Sequence, residues 1–240
     1  MDNGIYITLS RQNALFRDLE VSANNIANAN TPGYNAEKIL FSNYIEKDQK
    51  RKDSYANDVS DYRDTSQGSI RMTNNTFDLA ITGPGYFPVE TPYGTRYTKA
   101  GNFTIDGEGT LKTMQGYPVL GNDNGRITIP DTAKKVVING AGQISADGND
   151  VGQVGVMEFK NVQQMKRTGD TLYSATETPA PAEVSRVVQG GLESSNVNAV
   201  SELVRVQEVS RSVDNTAKFI ATMYDLESKV SATYSKSISA

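Results

Sequence analysis

The sequence predicts an α+β chain: long N- and C-terminal heptad helices forming a coiled-coil-like assembly domain, with a central, mainly antiparallel β domain between them. Three observations predict it. Apolar residues recur in steps of three and four near the N-terminus, the same rhythm returns near the C-terminus, and the intervening region consists of short alternating stretches punctuated by glycine.

The first rhythm is Ile5, Leu9, Gln12, Phe16, Leu19, Ala23 and Ile26, a seam with Gln12 as its one polar member. Before Pro32 only Gly4 works against a helix, so one is expected from about Ile5 to Asn28, roughly 36 Å at 1.5 Å per residue. It runs into SANNIANANTPGY, residues 22–34. Asparagine tolerates the left-handed conformation that closes helices, and Thr31, Pro32 and Gly33 supply a stop and a turn, so Asn30 to Gly33 reads as the helix exit. Asn24, Asn25 and Asn28 sit inside the last turns, where asparagine is less favourable than alanine. Amides are useful there only when they bond to something.

The second rhythm is Leu203, Val206, Ser210, Val213, Ala217, Ile220 and Tyr224, with no proline after Pro181. A helix is expected from about Asn198 to Tyr234, roughly 55 Å long. Glu202, Arg205, Glu208, Arg211, Asp214 and Lys218 line its other faces. A chain that begins and ends in such helices can pair them with each other or with neighbouring copies.

Between them, FDLAITGPGYFPVE and GRITIP read as strands with tight turns, and GNFTIDG (101–107) and GQISADG (142–148) each offer an Asp-Gly pair suited to a hairpin. The expected organisation is a helical assembly domain from 1–44 and 190–240, an extended linker over 45–68, a β domain over 69–181 and a second linker over 182–189.

Composition narrows the function. Hydrophobic residues make up 37% of the 240, without tryptophan, which predicts a thin core and a long, partly solvated molecule. A net charge of -4 argues against a nucleic-acid partner, and the one dense charge run, EKDQKRKD at 46–53, mixes its signs as a solvated segment does. The absence of cysteine and histidine removes thiol chemistry, the commonest general base and the commonest transition-metal ligands. No run of 18 apolar residues exists, so no membrane insertion is expected, and Asp2 stands where a secretory signal carries basic residues. Asp106 with Glu108, and Asp147 with Asp150, read as turn residues rather than as a carboxylate pair or a calcium site. No catalytic residue, metal, cofactor or small-molecule substrate is expected.

SANNIANANTPGY resembles the N-terminal signature of the flagellar axial proteins, the rod and hook subunits of the bacterial basal body. The resemblance continues through DLAITGPGYFPVETPYGTRYTKAGNFTIDGEGTL (78–111), GYPVLG (116–121) and QGGLESSNVN (189–198), and so covers most of the chain. Within the family the rod subunits look most similar, a proximal one first and a distal one as the alternative. One block departs from the family's pattern: the last helix reads Arg211, Ser212, Val213, Asp214, Asn215 where an Arg-Tyr-Glu-x-Asn type is common. The resemblance implies terminal helices packed into a hollow cylinder around an export channel, with other rod proteins and copies of the chain as partners. It further implies delivery by the flagellar type III export apparatus without a cleaved signal, and a place in the rod crossing the periplasm. The subunit-interface residues it implies are Asn24, Asn25, Ala27, Asn28, Thr31, Gly33 and Tyr34, then Gln189, Gly190, Leu192, Glu193, Ser195, Asn196 and Val197. Packed among neighbours, the three helical asparagines are expected to exchange amide hydrogen bonds between chains, each contributing about 1 kcal/mol. The remote alternatives are an enzyme acting on cell-wall glycans and a secreted binding module.

Overall fold

Residues 2–48, 51–169 and 171–238 are described in a computed structural model of the chain. They form two units, one of 1–27, 37–62 and 198–240, the other of 28–36 and 63–197.

The first unit is built on two helices, α1 (Asp2–Ala27) and α2 (Ala199–Ile238). Asn198 starts α2: its side-chain oxygen accepts the Val200 and Ser201 N–H groups at 3.1 Å, supplying acceptors that a helix N-terminus lacks. The helices pack antiparallel. Asp18 pairs with Arg205 at 2.9 Å, and further along Ile7 and Arg11 share a groove with Ser212 and Phe219.

The stripe of α1 buried in the chain is Ala14, Asp18, Ser22 and Asn25, steps of four, four and three that keep one face. Among the described side chains of α2 the buried ones are Val209 and Thr216. Small and polar side chains let two helices approach and lock through an ion pair, and this is where the two helices of this chain meet. The expected heptad seam lies elsewhere. Leu9, Phe16, Leu203, Ala217 and Tyr224 are exposed, while Leu19, Ile26, Val206, Val213 and Ile220 are half-buried. The side chain of Ile5 falls outside those described.

Where a linker was expected over 45–68, the strand Glu37–Asp48 pairs with the strand Arg51–Arg63 as a two-stranded sheet. Its mixed charges hide it in the sequence, because backbone pairing does not require an apolar face.

The second unit is antiparallel in every strand pairing described within it. A four-stranded sheet runs in the order 166–169, 172–174, 94–98, 87–91, and a three-stranded sheet in the order 149–153, 143–146, 136–138. Asp147 and Gly148 both take positive φ, 50° and 89°, as the two-residue hairpin predicted at GQISADG demands. Asp106 accepts the Glu108 and Thr110 N–H groups at 2.9 Å and pairs with Lys112, which is turn chemistry.

Arg186–Gln189, expected within a linker, is instead a strand paired antiparallel with Leu79–Thr82, and Val187 is buried in the core. That core gathers Leu79, Ile81, Phe87, Val89, Leu111, Ile144 and Val154, all fully buried. Beside it Tyr86, Tyr97, Phe159 and Tyr173 meet edge to face. Among the described residues no helix is long and apolar enough to cross a membrane.

Candidate functional site

The two terminal motifs divide between the units. Asn25 lies in α1 and is buried, and its amide is used inside the chain: Nδ2 donates to the Glu37 carbonyl at 2.8 Å, and Oδ1 accepts the Glu37 N–H at 3.0 Å. That pairing corrects the expectation of amide exchange between chains at this residue. Asn24 and Ala27 are exposed at the end of α1.

The exit begins at Asn28, two residues earlier than the sequence suggests. The Asn28 carbonyl accepts the Thr31 N–H at 3.1 Å, and Thr31 Oγ1 donates to Asn28 Oδ1 at 3.2 Å. Gly33 follows with φ 68°. A Cβ there would lie 2.3 Å from the Lys99–Ala100 peptide, so only glycine closes this approach. Its N–H donates to the Glu193 carbonyl at 2.8 Å. Tyr34 is buried beneath the Arg167 guanidinium, 4.3 Å from its ring, and Arg167 also donates to the Asn35 carbonyl at 3.0 Å.

The C-terminal motif lies against this turn. Gln189 fixes its strand: Nε2 donates to the Thr76 and Val136 carbonyls at 3.1 Å, and Oε1 accepts the Ile138 N–H at 3.0 Å. Gly190, at φ 75°, accepts the Thr73 N–H at 2.7 Å, and Leu192 is buried opposite Arg71 in the pairing of 191–193 with 70–72.

Glu193 forms a buried ion pair with Lys99 at 3.4 Å, the two side chains 2% and 3% exposed. The Gly68 N–H donates to the same carboxylate at 3.2 Å, and Lys99 also reaches the Gly83 carbonyl. Burial raises the Glu193 carboxyl above the ordinary glutamate value, while the Lys99 cation and the Gly68 N–H oppose that rise. Burying two charges costs more than a surface pair does, and removing either partner strands the other.

Asn196 completes the arrangement. Oδ1 accepts the Ala36 N–H at 2.7 Å, and Nδ2 donates to the Asp64 and Ser66 carbonyls at 2.9 Å. Ser195 Oγ accepts the Val197 N–H at 3.2 Å.

Thr31, Gly33, Tyr34, Gln189, Gly190, Leu192, Glu193, Ser195 and Asn196 thus act within the β unit, and Asn25 within the helical unit. Sequence reasoning missed Lys99, Gly68 and Arg167. Lys99 stands in TKAGNF, whose lysine carries no sign of burial until its carboxylate partner, 94 residues away, is located.

Known families cover three stretches of the chain. Residues 5–35 match the model for the flagella basal body rod protein, 80–146 the flagellar hook protein FlgE/F/G D1 domain, and 188–233 the flagellar basal body rod FlgEFG protein C-terminal region. The chain is similar to the flagellar basal-body rod protein FlgF of Caulobacter vibrioides, 36% identical with 94% of this chain and 95% of the relative covered. It is similar to FlgF of Rhizobium meliloti at 32%, covering 95% and 94%. It is also similar to the rod protein FlgG of Bacillus subtilis at 32%, covering 92% and 95%.

Proposed function

The chain belongs to the flagellar basal-body rod family, structural rather than catalytic, and we propose that it polymerises through α1 and α2 into the hollow shaft around the export channel. As a rod subunit it assembles with other flagellar components in the basal body. The observation that carries the reading is the helical unit's inverted burial. Beside Val209, its two helices bury small or polar side chains, Ala14, Asp18, Ser22, Asn25 and Thr216, and leave Phe16, Leu203, Phe219, Tyr224 and Leu226 each more than half exposed. Exposed large apolar side chains on helices suit contact with other molecules, and Phe16, Leu203 and Tyr224 keep the heptad spacing that suits other helices.

Copies of the chain and other rod proteins cover these faces. Exposed Asn24 and Ala27, with half-buried Asn28, Ser195 and Val197, lie where a neighbour reaches the motifs. Similarity to FlgF over nearly the whole chain favours a proximal place in the rod, and similarity to FlgG makes a distal place the alternative. The subunit reaches its place across the periplasm through the type III export apparatus.

Electron microscopy of basal bodies from cells lacking the gene tests this. Truncated or absent rods, rescued by the full-length chain and not by a copy lacking residues 1–27, are expected. Complete rods in the deletion strain would overturn the reading.

A further inference from the structure

The chain passes between its two units at residues 27–28, 36–37, 62–63 and 197–198. On the β side, three of these passages meet at one side chain. Asn196 holds Ala36 through its oxygen and Asp64 and Ser66 through its nitrogen, which uses both amide donors. The Asp64 N–H donates to the Ala36 carbonyl at 2.8 Å, closing a ring of hydrogen bonds, and the Asn196 N–H reaches the Tyr34 carbonyl at 3.4 Å. The fourth passage, 27–28, leads into the exit turn, which Glu193 secures through its carbonyl to Gly33. Glu193 is held in turn by Lys99 and Gly68. A Cβ on Gly68 would fall 1.8 Å from the Ser194 carbonyl oxygen, so this segment also seats directly on the motif.

We infer that residues 193–196 are a clasp: their docking fixes 28–36 and 63–69 together, ordering every entrance to the helical unit as one cooperative step in the free chain. The device needs no neighbouring subunit and stands apart from the assembly reading. It follows from connectivity, because 28–36, 63–69 and Lys99, distant from one another in sequence, all bond to residues 193, 194 and 196.

Asn196→Asp is the discriminating variant. It keeps an acceptor for the Ala36 N–H and replaces the donors to Asp64 and Ser66 with a carboxylate oxygen that their carbonyls repel. Hydrogen exchange of the full-length monomer is followed in 28–36, 63–69, 189–197 and the core strands 79–91. The clasp predicts that exchange rises about tenfold in 28–36 as well as in 63–69, with 79–91 unchanged, since partial openings of a cooperative unit are shared by its members. A rise confined to 63–69 would show the bonds to be independent, and an equal rise in 79–91 would show an ordinary core position; either overturns the clasp. Asn196→Ala, which loses all three side-chain bonds, is expected to loosen the same three segments further and again spare 79–91.

Discussion

The two units of this chain solve opposite problems. The β unit buries large apolar side chains to completion, Leu79, Ile81, Phe87, Leu111 and Ile144 among them. The helical unit, among its described side chains, buries mostly small or polar groups and holds them with Asp18–Arg205, Arg17–Asp61 and the Asn25–Glu37 bonds. At about 25 cal/mol per Å² of apolar surface, the first arrangement supplies its own stability, whereas the second leaves its main driving force unused in the single chain. One region buries its large apolar side chains, and the other leaves several of them to solvent.

Substitutions that touch each region in turn sharpen this contrast. The largest loss is expected from Phe87→Ala, which empties a fully buried site packed on Phe103 and should lower the stability of the β unit by about 4 kcal/mol in urea titrations. An unchanged midpoint would mean the core is not where the stability resides.

Lys99→Met comes next, at about 3 kcal/mol, because it strands the Glu193 carboxylate. Its pH dependence carries a sign. Burial already raises Glu193 on folding, and losing the cation raises it further. A group raised on folding contributes stability that is fully present below its unfolded value and is lost as pH rises through its folded value. The penalty of Lys99→Met is therefore expected to be smaller at about pH 5 than at about pH 8. A penalty independent of pH would remove the ion pair from the account.

Gly33→Ala is expected to cost about 2 kcal/mol, from the positive φ and the collision with the Lys99–Ala100 peptide. Thermal melts of the free chain measure it.

The smallest effect in solution, under about 0.5 kcal/mol each, belongs to Phe16→Ser and Phe219→Ser, whose side chains are more than half exposed. In cells the order reverses: both are expected to impair incorporation into basal bodies. Normal rods carrying the double variant would place the assembly surface elsewhere.

Much of the fold is legible in the sequence because its signals are local. Helix spacing, the Asp-Gly hairpin at 147–148 and the stop at Thr31–Gly33 each depend on neighbours in the chain. What sequence alone misses is non-local. Val187 lies in a stretch that reads as a connector until its pairing with Ile81 is known, and Lys99 is an ordinary surface lysine until Glu193 arrives. The seam illustrates a different limit. A heptad rhythm marks a face that suits another helix but does not name the helix, and here the chain's own second helix packs along Ala14, Asp18 and Ser22 instead. The motif asparagines show the same limit at the candidate site: residue type announces a hydrogen bond, while its partner is set by topology.

The bonds between Asn25 and Glu37 have a consequence for how this molecule grows. A strand that ends with an unanswered N–H and carbonyl is a template on which any other strand can add. At Glu37 a helical side chain occupies both groups, imitating the next strand in width and polarity while offering nothing further to pair with. Strand addition is closed at that one residue, where the chain turns from helix to strand.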